Sequence, residues 1–454
     1  MASVAEQMAS SISFAKFSQA TDLKKRLWFT IVALLVFRLL SFVPLPGIDP
    51  TALGLLSQQT QGGVLDLFNS FTGGSLERMS LTALGVTPYI TASIVVQLAT
   101  SLSPTLAAIK KDGESGRKRL NQYTRYGTVG LTIVQGYFIA LGLESFGASQ
   151  GVAAVVEPGI MFRVGAVISL VGGTMFLMWL GEQITSRGIG NGVSLIIMAG
   201  IVASMPTTLY NLFEGSRTGS LDLVRLLGII AAVVFLVLFI CFMERAQRRI
   251  LIQYPKRQTQ RGMQADRSHL PLKINTAGVI PPIFASSLLL MPLTITQFAG
   301  NYVQGQSGWG DFIITMNQYL QHGSPLYMSL YGAGIIFFSF FYTAVVFNPE
   351  ETADNLKRHG GFIPGIRPGK NTELYFDYVL TRLTVIGAGY LTIICLLPEY
   401  LVSALSIPFY LGGTSLLIVV NVTMDTVTQI QSHLLAHQYG DLIKKAKLKG
   451  GRLR

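Results

Sequence analysis

Charge is what this chain most lacks: Asp, Glu, Lys and Arg make up 13% of its 454 residues, against about a quarter in a soluble domain. With half its residues hydrophobic, it cannot cover a large folded surface with groups that water solvates, which excludes one large soluble domain. Cysteine is nearly absent, with Cys241 and Cys395 alone. Both fall inside apolar runs, where a thiol behaves as a small hydrophobe, and neither implies a disulfide. The five histidines stand outside those runs without ligand spacing, so no metal site is expected. Nucleotide chemistry is missing as well. The nearest approach to a phosphate loop, at 365–371, is one residue short between its glycines and ends in Asn371 where Ser or Thr is needed. No cofactor and no catalytic residue are expected. An intramembrane enzyme is the weakest reading, because no nucleophile and base can be paired within the apolar runs.

Long apolar runs fill the space that charge leaves. Mean hydropathy is +0.47, and stretches of eighteen or more largely apolar residues recur along the whole length. A helix needs roughly 20 such residues to cross a hydrocarbon core of about 30 Å. Helices are the open choice, since backbone polar groups in lipid must be satisfied within their own segment. The expected spans are 24–43, 81–102, 123–143, 161–182, 193–211, 223–244, 274–296, 326–347, 376–397 and 408–431. The fold class is therefore an all-α polytopic membrane protein of about ten transmembrane helices. The opening twenty residues lack the apolar core and small-residue cleavage site of a signal peptide, so the N-terminus is expected to stay as made.

Lys and Arg are distributed with a bias. Eight lie in 245–273, six in 104–125, six from 434 onward, and four each in 1–26 and in 348–375. The alternate connections hold only Arg78 and Arg217. By the positive-inside rule the basic side, both termini included, is expected in the cytoplasm, and an even number of spans agrees. Glu182, Glu244 and Asp425 are expected near the basic ends of their spans, close to water. Arg38 is the one charge expected to lie deep, snorkelling or capping carbonyls of a neighbouring helix.

Two spans are polar for helices that face acyl chains. The second carries Thr82, Thr87, Thr91, Ser93, Gln97 and Pro88, and the seventh begins INTAGVIPPIFASS. Such helices suit a bundle interior or a water-filled cavity, and ordinary Ser/Thr/Gly packing accounts for the same composition. Val86 and Ile90, like Val193 and Ile197, are spaced i, i+4, so each pair presents two branched side chains to one side of its helix. Ahead of the second span, 64–80 is amphipathic but too short and too polar to cross. Gly73 and Gly74 near its end let the backbone turn. A static interfacial helix would read the same way.

The runs FNSFTGGSLERMSLTALGVTPYITASIVVQL, PTLAAIKKDGESGRKRLNQYTRYGT, WLGEQITSRGIGNGVSLII, HLPLKINTAGVIPPIFASS, FYTAVVFNPEETADNLK, GFIPGIRPGK and PFYLGGTSLLIVV together closely resemble the SecY family, the central subunits of the bacterial protein translocase. The resemblance covers nearly the whole chain in order. It implies two inverted five-helix halves around an hourglass pore, the first at 24–212 and the second at 213–433. A cytoplasmic tail would precede them at 1–23, and a basic one would follow at 434–454. It further implies a pore constriction of Val86, Ile90, Val193, Ile197, Ile283 and Ile418 that gates by dewetting. Valine at Val86 and Val193, and Pro282 before Ile283, depart from the expected pattern. Within 64–80 the implied plug carries Leu65, Phe68, Asn69, Phe71, Gly73 and Gly74, and Thr91, Gln97 and Asn275 map to polar positions on a lateral gate. That gate lies between the second and third spans on one side and the seventh and eighth on the other.

The same resemblance supplies partners. The basic loops 245–273 and 348–375 are expected to dock the ribosome or the motor ATPase SecA through Arg248, Arg249, Arg257, Arg261, Lys357, Arg358 and Arg367. Topology alone would gather charge there too. Small membrane subunits SecE and SecG, secretory polypeptides with signal sequences and the lipid bilayer complete the list, at the bacterial plasma membrane. The function implied is a protein-conducting channel that borrows its driving force and releases apolar segments sideways. A secondary transporter of small solutes also fits ten spans and proline-broken helices, but an aliphatic waist offers a solute nothing to hold. An insertase-like scaffold without a through pore is the other rival.

Overall fold

In this computed structural model the described residues are 21–49, 69, 72–150, 155–218, 222–254, 257–259, 262–264, 267–303, 315, 319, 324–405 and 412–450. Twelve helices are described below: α1 (Thr21–Leu40), α2 (Thr87–Leu102), α3 (Pro104–Lys111), α4 (Glu114–Gln150), α5 (Ile160–Arg187), α6 (Gly192–Arg217), α7 (Leu223–Arg245), α8 (Ile280–Val303), α9 (Pro325–Val346), α10 (Pro349–Arg358), α11 (Lys370–Leu405) and α12 (Gly413–Gly450). Each of the ten expected spans coincides with one of them. By length and apolarity six described helices qualify as membrane spans, or seven if the bent pair α2 and α3 is one span. Among the described residues the fold is all-α but for one elaboration, two antiparallel ribbons within 245–273. Strand β1 (Gln247–Gln253) pairs with β4 (Arg267–Lys273), and β2 (Arg257–Thr259) with β3 (Gly262–Gln264).

Two spans begin later than their apolar runs do. Residues 81–86 and 274–279 are turns, and the helices start at Thr87 and Ile280. Proline is the cause: Pro88 occupies the first turn of α2, and Pro281 and Pro282 that of α8. A residue before proline is disfavoured in the helical region, so a helix begins at proline more readily than it passes through it. At the other end of α2, Ser103 is extended ahead of Pro104, and the chain turns by 101° into α3.

The outer surface and the interior answer to different solvents. Along α7, Leu223, Val224, Leu227, Val234, Phe235, Leu238 and Phe242 are all exposed, a face that only lipid or another apolar surface can cover. Inside, α4 packs along α5 and α8, α8 along α9, α9 along α11, and α6 along α5 and α12. Buried hydroxyls are mostly satisfied within their own helix: Thr128 donates to Thr124 O and Thr132 to Thr128 O, both at 2.7 Å, and Ser339 to Ile335 O at 2.7 Å. This i to i−4 bond is how Ser and Thr are accommodated where no water reaches them.

Ion pairs mark both ends of the α4–α5 hairpin. Arg125 and Glu182 meet at 2.6 Å at one end, and Glu144 and Arg163 at 2.7 Å at the other. Within each helix the two charges stand nineteen residues apart, about 28 Å of helix, close to the thickness of a hydrocarbon core.

Candidate functional site

Helix starts build the centre of the molecule. Val86 is the N-cap residue of α2, and Ile90 lies one turn on, its amide donating to Val86 O at 3.1 Å. Val193 is the second residue of α6, whose N-cap Asn191 accepts from the Val193 amide at 3.2 Å, and Ile197 follows one turn later. Ile283 and Ile418 lie near the starts of α8 and α12. All six expected constriction residues join one apolar cluster: Val86, Ile90, Ile197 and Ile418 are in its core, with Val193 and Ile283 packed against it. Ile418 has no exposed surface and Ile197 only 5%, while Val193 and Ile283 are half-buried at the cluster's edge. Orphan amide donors of a helix start are costly in so apolar a place. Prolines in the first turns of α2 and α8 remove some of those donors, and the Asn191 side chain satisfies one in α6.

Next to this cluster lies the end of the segment expected to be the plug. Leu65, Phe68 and Phe71 fall outside the described residues. Asn69 is held by Glu77 in both directions: its amide donates to Oε2 at 3.0 Å, and its Oδ1 accepts from the Glu77 backbone at 3.1 Å. Gly73 O accepts from two guanidinium groups, Arg38 at 2.7 Å and Arg78 at 3.0 Å. Arg78 also donates to Gly74 O at 3.0 Å, and both guanidiniums lie over the Phe42 ring, at 4.8 and 4.3 Å from its centroid. Burial lowers the pKa of Arg78 from its ordinary value, and neighbouring Glu77 acts in the opposite direction. Of the two roles open to Arg38, capping carbonyls is the one it performs, on a loop and not on a helix. At φ +68, Gly73 approaches α6 so closely that a Cβ there would lie 2.9 Å from Gly200 Cα.

At the place expected for the lateral gate, α8 packs against both α2 and α4. Thr91 donates to Thr87 O at 3.1 Å within α2, and Gln97 donates to Ser93 at 3.2 Å in the same helix. Gln97 Oε1 is buried with no hydrogen-bond partner among the described residues. Asn275 does not reach either of them. Its amide donates to Glu244 Oε1 at 2.6 Å and to Gly278 O at 3.1 Å. Glu244 also departs from expectation: 6% exposed, it is enclosed by the joint it braces and not open to water. A second buried carboxyl, Glu399 in α11, lay just beyond the predicted end of its span, where no sequence signal marked it.

At the basic end the two long loops are one body. Gln253 and Phe362 exchange backbone hydrogen bonds, both at 2.9 Å. Ile250 and Leu272 of the ribbon share an apolar cluster with Ala353, Ile363 and, from α11, Phe376, Val379 and Leu383. Around it Arg248, Arg249, Lys357, Arg358 and Arg367 are exposed, and none is ion-paired among the described residues. Arg257 lies on β2, and Arg261 is outside the described residues. Lys357 and Arg358 stand in the last turn of α10, where the helix dipole favours positive charge.

The chain is similar along nearly its whole length to known translocase subunits. The chain is 55% identical to the protein translocase subunit SecY of Escherichia coli K12 over 430 residues, 94% of this chain and 96% of that one. It is 51% identical to that of Rickettsia bellii over 438 residues, 96% and 99% of the two chains. In fold it matches a solved structure described as a protein conducting channel, with TM-score 0.64 at 16% identity over 90% of this chain and 92% of that one. Sec61 in a canine ribosome-channel complex gives TM-score 0.63 at 15% identity, with the same coverage. The SecY family model matches residues 80–427, and on that match and those identities the chain belongs to the SecY family.

Proposed function

We infer that this chain is the channel subunit of a protein translocase, passing unfolded secretory polypeptides across the membrane and releasing apolar segments sideways into lipid. The observation that supports this is the central cluster, to which six aliphatic side chains at or near the starts of four helices, from Val86 to Ile418, all belong. An apolar constriction charges ions the full cost of shedding water, yet its flexible side chains yield to a passing chain. It has no polar group with which to select a small solute. The test is photocrosslinking from reactive residues placed at Ile90 and Ile283 to a stalled secretory chain. Crosslinks from both sites are expected, and a translocating chain that touches neither would overturn the reading.

Three parts complete the proposal. The segment 64–80 is the plug, supported by the two guanidinium groups that hold Gly73 O. The seam between α2 and α4 on one side and α8 and α9 on the other is the lateral gate, with Thr91 and Gln97 as its polar lining. Driving force comes from outside, through docking of the ribosome or the motor ATPase SecA on the basic platform, and SecE and SecG are the companion subunits. The protein then lies in the bacterial plasma membrane with the platform and both termini in the cytoplasm. The bias of Lys and Arg toward those loops supports this orientation.

A further inference from the structure

The platform is joined to the gate helix without slack. Helix α7 ends at Arg245 and β1 begins at Gln247, while β4 ends at Lys273. The ladder runs one step beyond its strands, because the Ile274 amide donates to Ala246 O at 3.1 Å. That step sets Asn275 beside the last turn of α7, where its amide grips Glu244 at 2.6 Å and turns back to Gly278 O at 3.1 Å. Five residues after Asn275 the helix α8 begins, and Ile283 of the central cluster lies in its first turn.

Two features show that the joint is held and not merely filled. A carboxylate at a helix C-terminus faces the negative end of the dipole, and burying it there costs more than burying an amide or a leucine. The position carries that cost with a hydrogen bond aimed at the one residue that leads into α8. Opposite it, Gly387 of α11 has no side chain to hold the joint away. A Cβ at Gly387 would lie 3.1 Å from Ile274 O and 3.6 Å from Asn275 Cα. Of the other groups near Glu244, Tyr390 of α11 lies beside it, with Lys273 and Asp425 farther out, those two 4.0 Å apart and more than half exposed.

We propose that Glu244 and Asn275 form a strap, with α11 at Gly387 as its fulcrum, that transmits displacement of the basic ribbon to α8, and so to Ile283 and the seam. Asn275 is then a positioning residue that couples docking to gating. This rests on the reading of the ribbon as a docking surface, and its test separates the two.

The measurement uses the full chain in lipid nanodiscs, with Cys241→Ala and Cys395→Ala and spin labels at Ser268→Cys on the ribbon and Leu288→Cys on α8. One narrow distance distribution is expected, and Asn275→Asp, which sets two carboxyls face to face, should broaden it about twofold. Adding Glu244→Gln to Asn275→Asp restores a donor opposite an acceptor with the direction reversed, and the distribution should narrow again. Equal widths in the starting chain and Asn275→Asp, or a double variant as broad as the single one, would overturn the strap. Ribosomes then test the coupling, with labels at Val95→Cys on α2 and Leu288→Cys. Binding to the starting chain should lengthen that distance, and Asn275→Asp should bind as tightly and lose the change. A full change in Asn275→Asp also overturns the strap, whereas failure of ribosomes to bind the starting chain counts against the docking reading and leaves the ribbon widths to decide the strap.

Discussion

Gly73 meets two constraints at once, a left-handed backbone at φ +68 and a neighbour's backbone where its Cβ would be. Any other residue must shift the loop and so loosen the grip of Arg38 and Arg78 on its carbonyl. Left-handed backbone alone costs an L-residue about 1–2 kcal/mol, equivalent to roughly a 5- to 30-fold change in the balance between held and released loop. Gly73→Ala is therefore expected to raise the opening frequency of the unoccupied channel by that order, read as ion current across a planar bilayer. The ion pairs of the α4–α5 hairpin offer a contrast at the same scale. Side-chain exposure is 11% at Glu144 and 26% at Arg163, against 44% at Arg125 and 34% at Glu182. Glu144 also accepts from the Gly159 amide at 3.0 Å. Glutamine keeps one acceptor for these two donors and turns an amide NH2 toward the other, so Glu144→Gln should cost about 1–3 kcal/mol, while the more exposed Arg125→Gln should cost under about 1 kcal/mol. Thermal unfolding in one detergent would rank them, and an equal or larger loss for Arg125→Gln would refute the ranking.

Elements, more than single residues, decide how the seam behaves. Helix α2 satisfies its hydroxyls internally, as Thr91 does through Thr87 O, so polarity there does not glue it to α8. Gln97 is the exception, with a buried Oε1 that has no partner among the described residues. A buried unsatisfied acceptor costs about 1–3 kcal/mol, which holds the closed seam near balance. Gln97→Leu should remove that penalty and tighten the seam. The expected result is that marginally hydrophobic signal sequences lose export while strongly hydrophobic ones keep it, measured as translocation across a series of leucine contents. Unchanged selectivity would show that the seam is set elsewhere. The ten helices were legible because each rests on a run of some twenty apolar residues, a property of neighbours in sequence. The late starts of α2 and α8 follow from Pro88, Pro281 and Pro282, which a hydropathy average does not register. The β1–β4 ribbon was missed because its short strands, rich in Arg, Gln and Lys, carry no long alternating pattern.

The whole molecule gathers its excess charge, +12 at pH 7, onto few surfaces, and on the basic platform exposed guanidiniums surround an apolar core shared by two loops. If the partner's surface there is ribosomal RNA, each phosphate contact contributes about 0.9 to the slope of log affinity against log salt. Arg367→Glu should flatten that slope by about one and impair translocation, while the channel itself still inserts in the membrane. Sedimentation at several salt concentrations measures the first effect, and normal transport in the variant would remove Arg367 from the docking surface.

By itself the sequence determined the membrane class, the ten helices and which loops hold the basic residues, because hydropathy and charge are properties each segment has alone. Through resemblance it also led to six residues that share one apolar cluster at the centre of the molecule. Tertiary structure alone decided that Gly73 lies on Gly200, that Arg38 caps a loop carbonyl, that Asn275 turns to Glu244 and away from Gln97, and that Gln253 pairs with Phe362. Those contacts join residues 31 to 127 positions apart. Which distant partner a side chain meets depends on how all the helices pack together, and no local pattern of residues records it.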